Sequence, residues 1–339
     1  MLERTKWGWL VGEVTVLMPT HDRRDVMRAT LDRVLGQREV DFEVLIVDDA
    51  STDGTAEYLA AVTDPRIRVV STAKGGASGA RNAGLREIQS RWVAFCDDDD
   101  LWHEDKLASQ MAALRDRPDA AWSFTGCVQF DERQRLVAAQ RANAGPDLLR
   151  RLLSANVVPG GCSSVVVRAD VLARVGSFDE RLTFGEDWDL WIRLAAAAPC
   201  VVVDEPLVAY RVDRRSASFE HRPGPTYKIL KHRYAHDRAV HGSVLSSSDM
   251  SAYHALLMAA SGRRFASVGA YSRAAVGGNL RYAALAAACL VSPERVHERN
   301  LRRTAAAIPP EWAGSVRQWL PAALAVSDVP PTCGSSAGR

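Results

Sequence analysis

No apolar run in this 339-residue chain is long enough to cross a bilayer. The longest nearly uninterrupted ones, Leu194 to Val203 and Tyr282 to Val291, reach about ten residues, against the ~18–20 that a spanning helix needs. The first ten residues mix Glu3, Arg4 and Lys6 with apolar neighbours, so no signal peptide is expected and the chain is expected in the cytoplasm. Cysteine is sparse: the six, Cys96, Cys127, Cys162, Cys200, Cys289 and Cys333, never come closer than roughly thirty residues. That spacing excludes a zinc ribbon and a disulfide framework and fits reduced, buried thiols. Also missing are a G-x-G-x-x-G fingerprint after the first strand and any G-x-x-x-x-G-K-[ST] loop, which argues against NAD enzymes and P-loop NTPases.

Net charge is also lacking, at a formal +2, which speaks against nucleic acid as a partner. The total hides a split. Residues 1–210 hold 25 Lys+Arg against 33 Asp+Glu, while residues 211–339 hold 18 against 8. Hydrophobic residues make up 47% of the chain, enough to bury a large core in one or two domains and to exclude global disorder.

From Glu13 to Phe130, short β-branched apolar runs alternate with helix-period stretches, the pattern of βαβ units around a mainly parallel sheet. Strands are expected at Val14–Met18, Phe42–Val47, Ile67–Ser71, Trp92–Phe95 and Ala121–Phe124, with further ones at Ser163–Val167 and Leu207–Tyr210. Crossover helices carry Met27, Leu31, Val34 and Leu35 on one face, and Leu107, Met111 and Leu114 on another. A helix is expected over Glu186–Ala197. The polar, basic, proline-containing stretch Arg211–Pro225 marks a boundary, beyond which Ala-, Arg- and Leu-rich helices follow. The expected organisation is an N-terminal extension (1–12), an α/β domain (13–218), a helical accessory region (219–326) and a disordered tail (327–339).

In open α/β sheets, ligands bind beyond the carboxyl ends of the strands. Those positions are acidic here. Strand one runs into Pro19-Thr20-His21-Asp22, strand two into Asp48-Asp49, and strand four into Asp97-Asp98-Asp99-Asp100. Four consecutive aspartates repel one another, and a divalent cation relieves the repulsion; carboxylate oxygens suit Mg²⁺ or Mn²⁺. The competing readings are a solvated acidic loop and, for Asp48-Asp49, a helix cap.

Five segments, in order, carry a resemblance: Val-Leu-Met-Pro-Thr-His-Asp-Arg, Phe-Glu-Val-Leu-Ile-Val-Asp-Asp-Ala-Ser-Thr-Asp-Gly-Thr, Gly-Ala-Arg-Asn-Ala-Gly, Phe-Cys-Asp-Asp-Asp-Asp-Leu-Trp and Gly-Glu-Asp-Trp-Asp-Leu-Trp. Over roughly Glu13 to Ser218 the chain resembles the inverting family 2 glycosyltransferases, nucleotide-sugar enzymes with a GT-A fold: a Rossmann-like, mainly parallel sheet flanked by helices, here with a C-terminal mostly helical region. The resemblance implies that Pro19, Thr20 and His21 line the nucleotide pocket, that Asp49 contacts the base and that Arg81 lies by the pyrophosphate. A guanidinium beside glycine-permitted backbone fits a phosphate site on its own chemistry.

The family's D-x-D motif maps to Asp97 and Asp99, with Asp99 the direct ligand of Mg²⁺ or Mn²⁺ and Asp98 beside the ribose. The Glu-Asp pair maps to Glu186-Asp187, whose aspartate is in the family the general base for the acceptor hydroxyl, with Trp188 and Trp191 offered to the acceptor side or to packing. After Tyr210-Arg211, many relatives place a histidine near the metal; this chain has Asp213, which can still bind metal but cannot donate a proton as imidazolium does.

The implied function is transfer of a hexosyl or N-acetylhexosaminyl group from a nucleotide-sugar, by family default a UDP-sugar, to a glycan, lipid-linked or small-molecule acceptor, as in polysaccharide biosynthesis. The alternatives are a sugar-nucleotide or glycan-binding protein without activity, and a sugar-phosphate nucleotidyltransferase, whose early glycine-rich loop has no counterpart after strand one. Within the basic segment 211–241, Lys228, Lys231, Arg233 and Arg238 suggest peripheral contact with an anionic membrane at its inner face, and His232 and His236, four residues apart, offer half of a metal site at most.

Overall fold

Two seven-residue strands hold the centre because every residue in them is buried: Val14–Thr20 (β3) and Phe42–Asp48 (β4) pair in parallel from Val14 opposite Phe42 to Thr20 opposite Asp48. The computed structural model describes residues 3–4, 10–212, 223–260, 262–276 and 279–324. Glu3–Arg4 (β1) and Leu10–Val11 (β2) form a small hairpin ahead of the main sheet. Ile67–Ser71 (β5) extends the parallel set beyond β4, and Trp92–Phe95 (β6) extends it on the other side of β3.

The remaining strands are Leu101–Trp102 (β7), Trp122–Asp131 (β8), Leu136–Gln140 (β9), Val165–Arg168 (β10) and Cys200–Val212 (β11). Among the described residues the sheet order is β5-β4-β3-β6-β10-β8-β11-β7, with β9 on β8. β10 lies antiparallel to both β6 and β8, and β11 is parallel to β8. Chain order reverses between β3 and β6, so the ligand crevice expected of such a sheet opens at their carboxyl ends.

Arg24–Leu35 (α1), Thr55–Ala61 (α2) and Lys106–Asp116 (α4) cover one face, burying Met27, Leu31, Val34, Leu107, Met111 and Leu114. Gly76–Glu87 (α3), Leu148–Leu152 (α5), Ala169–Val175 (α6) and Glu186–Ala197 (α7) cover the other. α3 approaches so closely that a Cβ on Gly84 would come within 2.2 Å of Leu17 Cδ1. The expected strands at 121–124 and 207–210 prove to be parts of the ten-residue β8 and thirteen-residue β11; β11 absorbs Asp204, Glu205 and Pro206 through an irregular register between Val203 and Val208. The strand expected from Ser163 begins at Val165, after a 3₁₀ turn over Gly161–Ser164.

Pro223–Arg233 (α8), Ala235–Val240 (α9), Ser247–Ala260 (α10), Arg264–Ala275 (α11), Leu280–Val291 (α12), Pro293–Ala305 (α13) and Pro310–Leu324 (α14) make up the C-terminal region. Tyr234 breaks the helix between His232 and His236, so their four-residue spacing does not place them on one continuous helical face. α14 returns to the sheet, packing Trp312, Val316, Trp319 and Leu320 on Leu101, Val128, Phe130 and Ala209. Trp312→Ala should therefore cost about 3–5 kcal/mol in a urea unfolding titration; a cost below about 1 kcal/mol would show that α14 does not pack there.

Candidate active site

The switch point is closed by side chains from both strands. Thr20, at the end of β3, donates its Oγ1 hydrogen to Asp98 Oδ2 at 2.7 Å, and Arg23 pairs with Asp99 at 3.2 Å. Pro19 and Thr20 are buried in β3 itself, while His21 is half-buried with Nε2 3.3 Å from Asp22 Oδ2. The first and fourth strand ends thus form one surface.

Asp49 is turned toward the glycine segment. Its two oxygens accept the backbone N–H of Gly75 at 2.7 Å and of Gly76 at 2.8 Å, so the carboxylate caps the start of α3, where helix-end amides favour an anion. Gly76 has φ 71°, a conformation that glycine adopts readily and side-chain-bearing residues rarely do.

Five residues into α3, Arg81 is buried, which removes the reading of it as an exposed helix charge. It donates to Asp97 Oδ1 at 2.6 Å and to Glu186 Oε1 at 3.0 Å, and its guanidinium lies 5.2 Å from the centre of the Phe178 ring. Next to it, Asn82 exchanges hydrogen bonds with the backbone of Phe178 and reaches Glu180. One guanidinium therefore links the D-x-D loop to the first turn of α7.

The four aspartates separate by environment. Asp97 has its backbone N–H on Ser163 Oγ, and Asp99 is held by Arg23. Burial, with Asp99 adding repulsion, pushes the Asp98 carboxyl up to about 7 against the pull of Thr20. Asp100 is fully buried and accepts the Arg211 N–H at 2.9 Å; burial and its acidic neighbours raise it well above the usual carboxylate range. This crowding of carboxylates is the chemistry a hard divalent cation relieves. Among the described residues no three His, Cys, Asp or Glu converge as a cage, so the loop offers one or two carboxylates, the number Mg²⁺ uses where phosphate and water complete its shell. Asp213 lies outside the described residues.

At the start of α7, Asp187 accepts the Trp188 N–H at 2.6 Å and the Asn156 side-chain amide at 3.1 Å. Burial first and Glu186 second push its carboxyl up to about 7, poised for proton transfer near neutrality. Gly161, at φ 55°, faces it: a Cβ there would sit 3.9 Å from Asp187 Oδ2 and 3.7 Å from the Tyr210 ring.

Trp188 and Trp191 do not face an acceptor. Trp188 is buried with Nε1 donating to the Leu152 carbonyl, and Trp191 is fully buried, stacked on Trp122 at 6.2 Å and against Phe95. Both lie on the buried face of α7. Asn156, Ser163 and Gly161 belong to the site but come from segments without a motif, while Arg23 closes the first of the five segments, where no role was expected of it.

Residues 15–175 match the profile of glycosyl transferase family 2. That segment, just under half of the chain, resembles this family and takes in Thr20, Asp98 and Arg81. A Bacillus subtilis protein provisionally assigned as the teichuronic acid biosynthesis glycosyltransferase TuaG is 42% identical over 125 residues, 36% of this chain and 48% of that protein. The Escherichia coli UDP-Glc:alpha-D-GlcNAc-diphosphoundecaprenol beta-1,3-glucosyltransferase WfgD is 33% identical over 102 residues, 30% of this chain and 40% of that one. The chain spans about half or less of the length of these relatives. Among solved structures, the mannosyltransferase PcManGT of Pyrobaculum calidifontis, in complex with GDP-Man and Mn²⁺, superposes with a TM-score of 0.52 at 23% identity, covering 89% of this chain and 88% of that one. The shared architecture is GT-A-like, with a C-terminal helical region.

Arg81→Met leaves Asp97 and Glu186 facing each other without their shared cation, which should cost about 3 kcal/mol at pH 7. A urea titration measures it, and a cost below about 1 kcal/mol would contradict the bridge.

Proposed function

We propose that the chain is an inverting glycosyltransferase that moves a hexosyl or N-acetylhexosaminyl group from a nucleotide-sugar, a UDP-sugar by preference, to the hydroxyl of a lipid-linked or glycan acceptor. The observation that carries this reading is the Arg81 bridge, which sets a diphosphate-type loop and a carboxylate with a raised pKa on two sides of one crevice. The family 2 match supports the reaction class. WfgD, whose name gives a UDP-Glc donor and a diphosphoundecaprenol acceptor, supports the choice of donor and acceptor.

In this reading, Pro19, Thr20, His21 and Asp98 line the nucleotide side of the crevice, and Asp49 fixes the glycine turn beside it. Arg81 and Arg23 offer guanidinium groups to phosphate oxygens. Asp99, with Asp97, would hold Mg²⁺ or Mn²⁺, and the Mn²⁺ named with PcManGT agrees with that donor set. When bound, the cation supplies Lewis-acid stabilisation of the departing diphosphate.

Asp187 accepts the proton of the acceptor hydroxyl while the hydroxyl oxygen attacks the anomeric carbon. The new carbon–oxygen bond forms as the bond from that carbon to the phosphate oxygen breaks, and the electron pair leaves with the diphosphate. Attack from the side opposite the leaving group inverts the centre, so an α-linked donor gives a β-glycoside. Glu186, paired with Arg81, lies beside the base and helps to raise the Asp187 carboxyl.

The base must be ionised to act, so kcat/KM should fall about tenfold per pH unit below about 7. Asp187→Asn should lower kcat by at least about 10³-fold while leaving donor binding within about threefold. Product from an α-linked donor that retained the α configuration by proton NMR would exclude Asp187 as the base of a direct displacement.

A further inference from the structure

The basic half of the chain is partly consumed inside the protein. Arg233 pairs with Asp179 and, at 2.6 Å, with Asp189, and Arg238 is buried with its guanidinium on the carbonyls of Leu230 and Lys231. Two of the four cations expected to face a membrane in the 211–241 segment therefore face inward. Residues 213–222 lie outside the described residues.

The helices that follow have a different composition. From Ser251 through Pro293 the sequence contains no Asp, Glu or Lys, and its charged residues are Arg263, Arg264, Arg273 and Arg281. All four are exposed. The hairpin of α11 and α12 packs through Ala270, Tyr271, Ala286 and Cys289, and the rings of Tyr271 and Tyr282 stack 6.4 Å apart.

α12 buries little. Ala286 and Cys289 face the other helices, while Leu280, Ala283, Ala284, Ala287, Ala288, Leu290 and Val291 are exposed. A water-facing helix normally carries polar residues on that side; α12 has Arg281 as its one charge. Phe265 is 81% exposed at the start of α11, Leu290 and Val291 are 51% and 75% exposed at the end of α12, and Val276 and Leu280 are 79% and 83% exposed. Five of the eight exposed large hydrophobic residues among those described sit on these two helices or at their ends.

We propose that the α11–α12 hairpin is a docking surface for an anionic lipid bilayer. Apolar side chains enter the acyl boundary while the four arginines meet the headgroups, the composition of an interfacial helix. Charge decides between occupants: a second copy docked by the same face would bring four arginines against four with no acid between residues 251 and 293 to pair them, whereas an anionic surface neutralises them. The surface stands apart from the transferase reading, and its test reads binding alone.

Co-sedimentation of the full chain with vesicles tests it. Vesicles of phosphatidylcholine with phosphatidylglycerol should retain roughly tenfold more protein than phosphatidylcholine alone, and high salt should abolish the difference. Phe265→Trp should shift its emission to the blue on the anionic vesicles, and replacing Arg263, Arg264, Arg273 and Arg281 by Gln should remove the preference. Phe265→Asp with Leu290→Asp should abolish binding without lowering Tm; if that variant unfolds, the tryptophan and glutamine variants decide. Failure of the native chain to bind anionic vesicles at low salt would overturn the proposal. So would a concentration-dependent dimer in which the introduced tryptophan of the Phe265→Trp variant shifts to the blue without lipid.

Discussion

The buried guanidinium of Arg81 is the point on which the rest of the site depends. Without it, Asp97 and Glu186 would bring two carboxylates together at a crowded sheet end that already holds Asp98, Asp99 and Asp100. Unpaired charges in such a place either take up protons or force the loops apart. With it, the end of β6, the middle of α3 and the first turn of α7 are tied at distances of 2.6 and 3.0 Å. The same ion pairs that stabilise the fold therefore hold the Asp97–Asp100 loop and the Glu186-Asp187 turn in one geometry, the preorganisation that the proposed transfer needs.

α7 is anchored from behind by a second ionic network. Asp189, buried two residues after Asp187, accepts Arg193 at 2.9 Å, Arg233 at 2.6 Å and the Tyr234 hydroxyl at 2.7 Å. Arg233 and Tyr234 come from the C-terminal region, so that region helps orient the helix that carries Asp187. α14 does the same for the Asp97–Asp100 loop from the other side, placing Trp319 against His103 and Arg33 just beyond Leu101–Trp102. The C-terminal helices and the sheet are in this sense one folding problem.

The central strands and crossover helices could be read from the sequence because each is buried on both faces or along one stripe, and α7 matches its expected bounds, Glu186–Ala197. β9 and the full lengths of β8 and β11 could not, since antiparallel and edge pairing depends on partners far along the chain and Pro206 interrupts the local pattern. The acids of the site were legible as strand-end motifs. Their pairings were not: Arg23 ends the first motif, yet nothing local ties it to Asp99 across 76 residues, and Asn156 reaches Asp187 across 31 with no local signature. The two tryptophans after Glu186-Asp187 were open to the acceptor side or to packing, and helical geometry turns them into the core beside Trp122 and Leu152. The two sides of the charge split meet in the fold, because Arg233 of the positive half pairs with Asp179 and Asp189 of the negative half.

The central claim is that the acidic sheet end is a nucleotide-diphosphate site completed by a divalent cation. Thermal unfolding of the native chain and of Asp99→Ala, each with UDP, with Mn²⁺ and with both, tests it most directly, because a ligand that binds only the folded state raises Tm by mass action. The account predicts a rise for UDP and Mn²⁺ together that exceeds the two separate rises in the native chain and vanishes in Asp99→Ala. Equal responses of the two proteins, or a UDP effect indifferent to Mn²⁺, would contradict it.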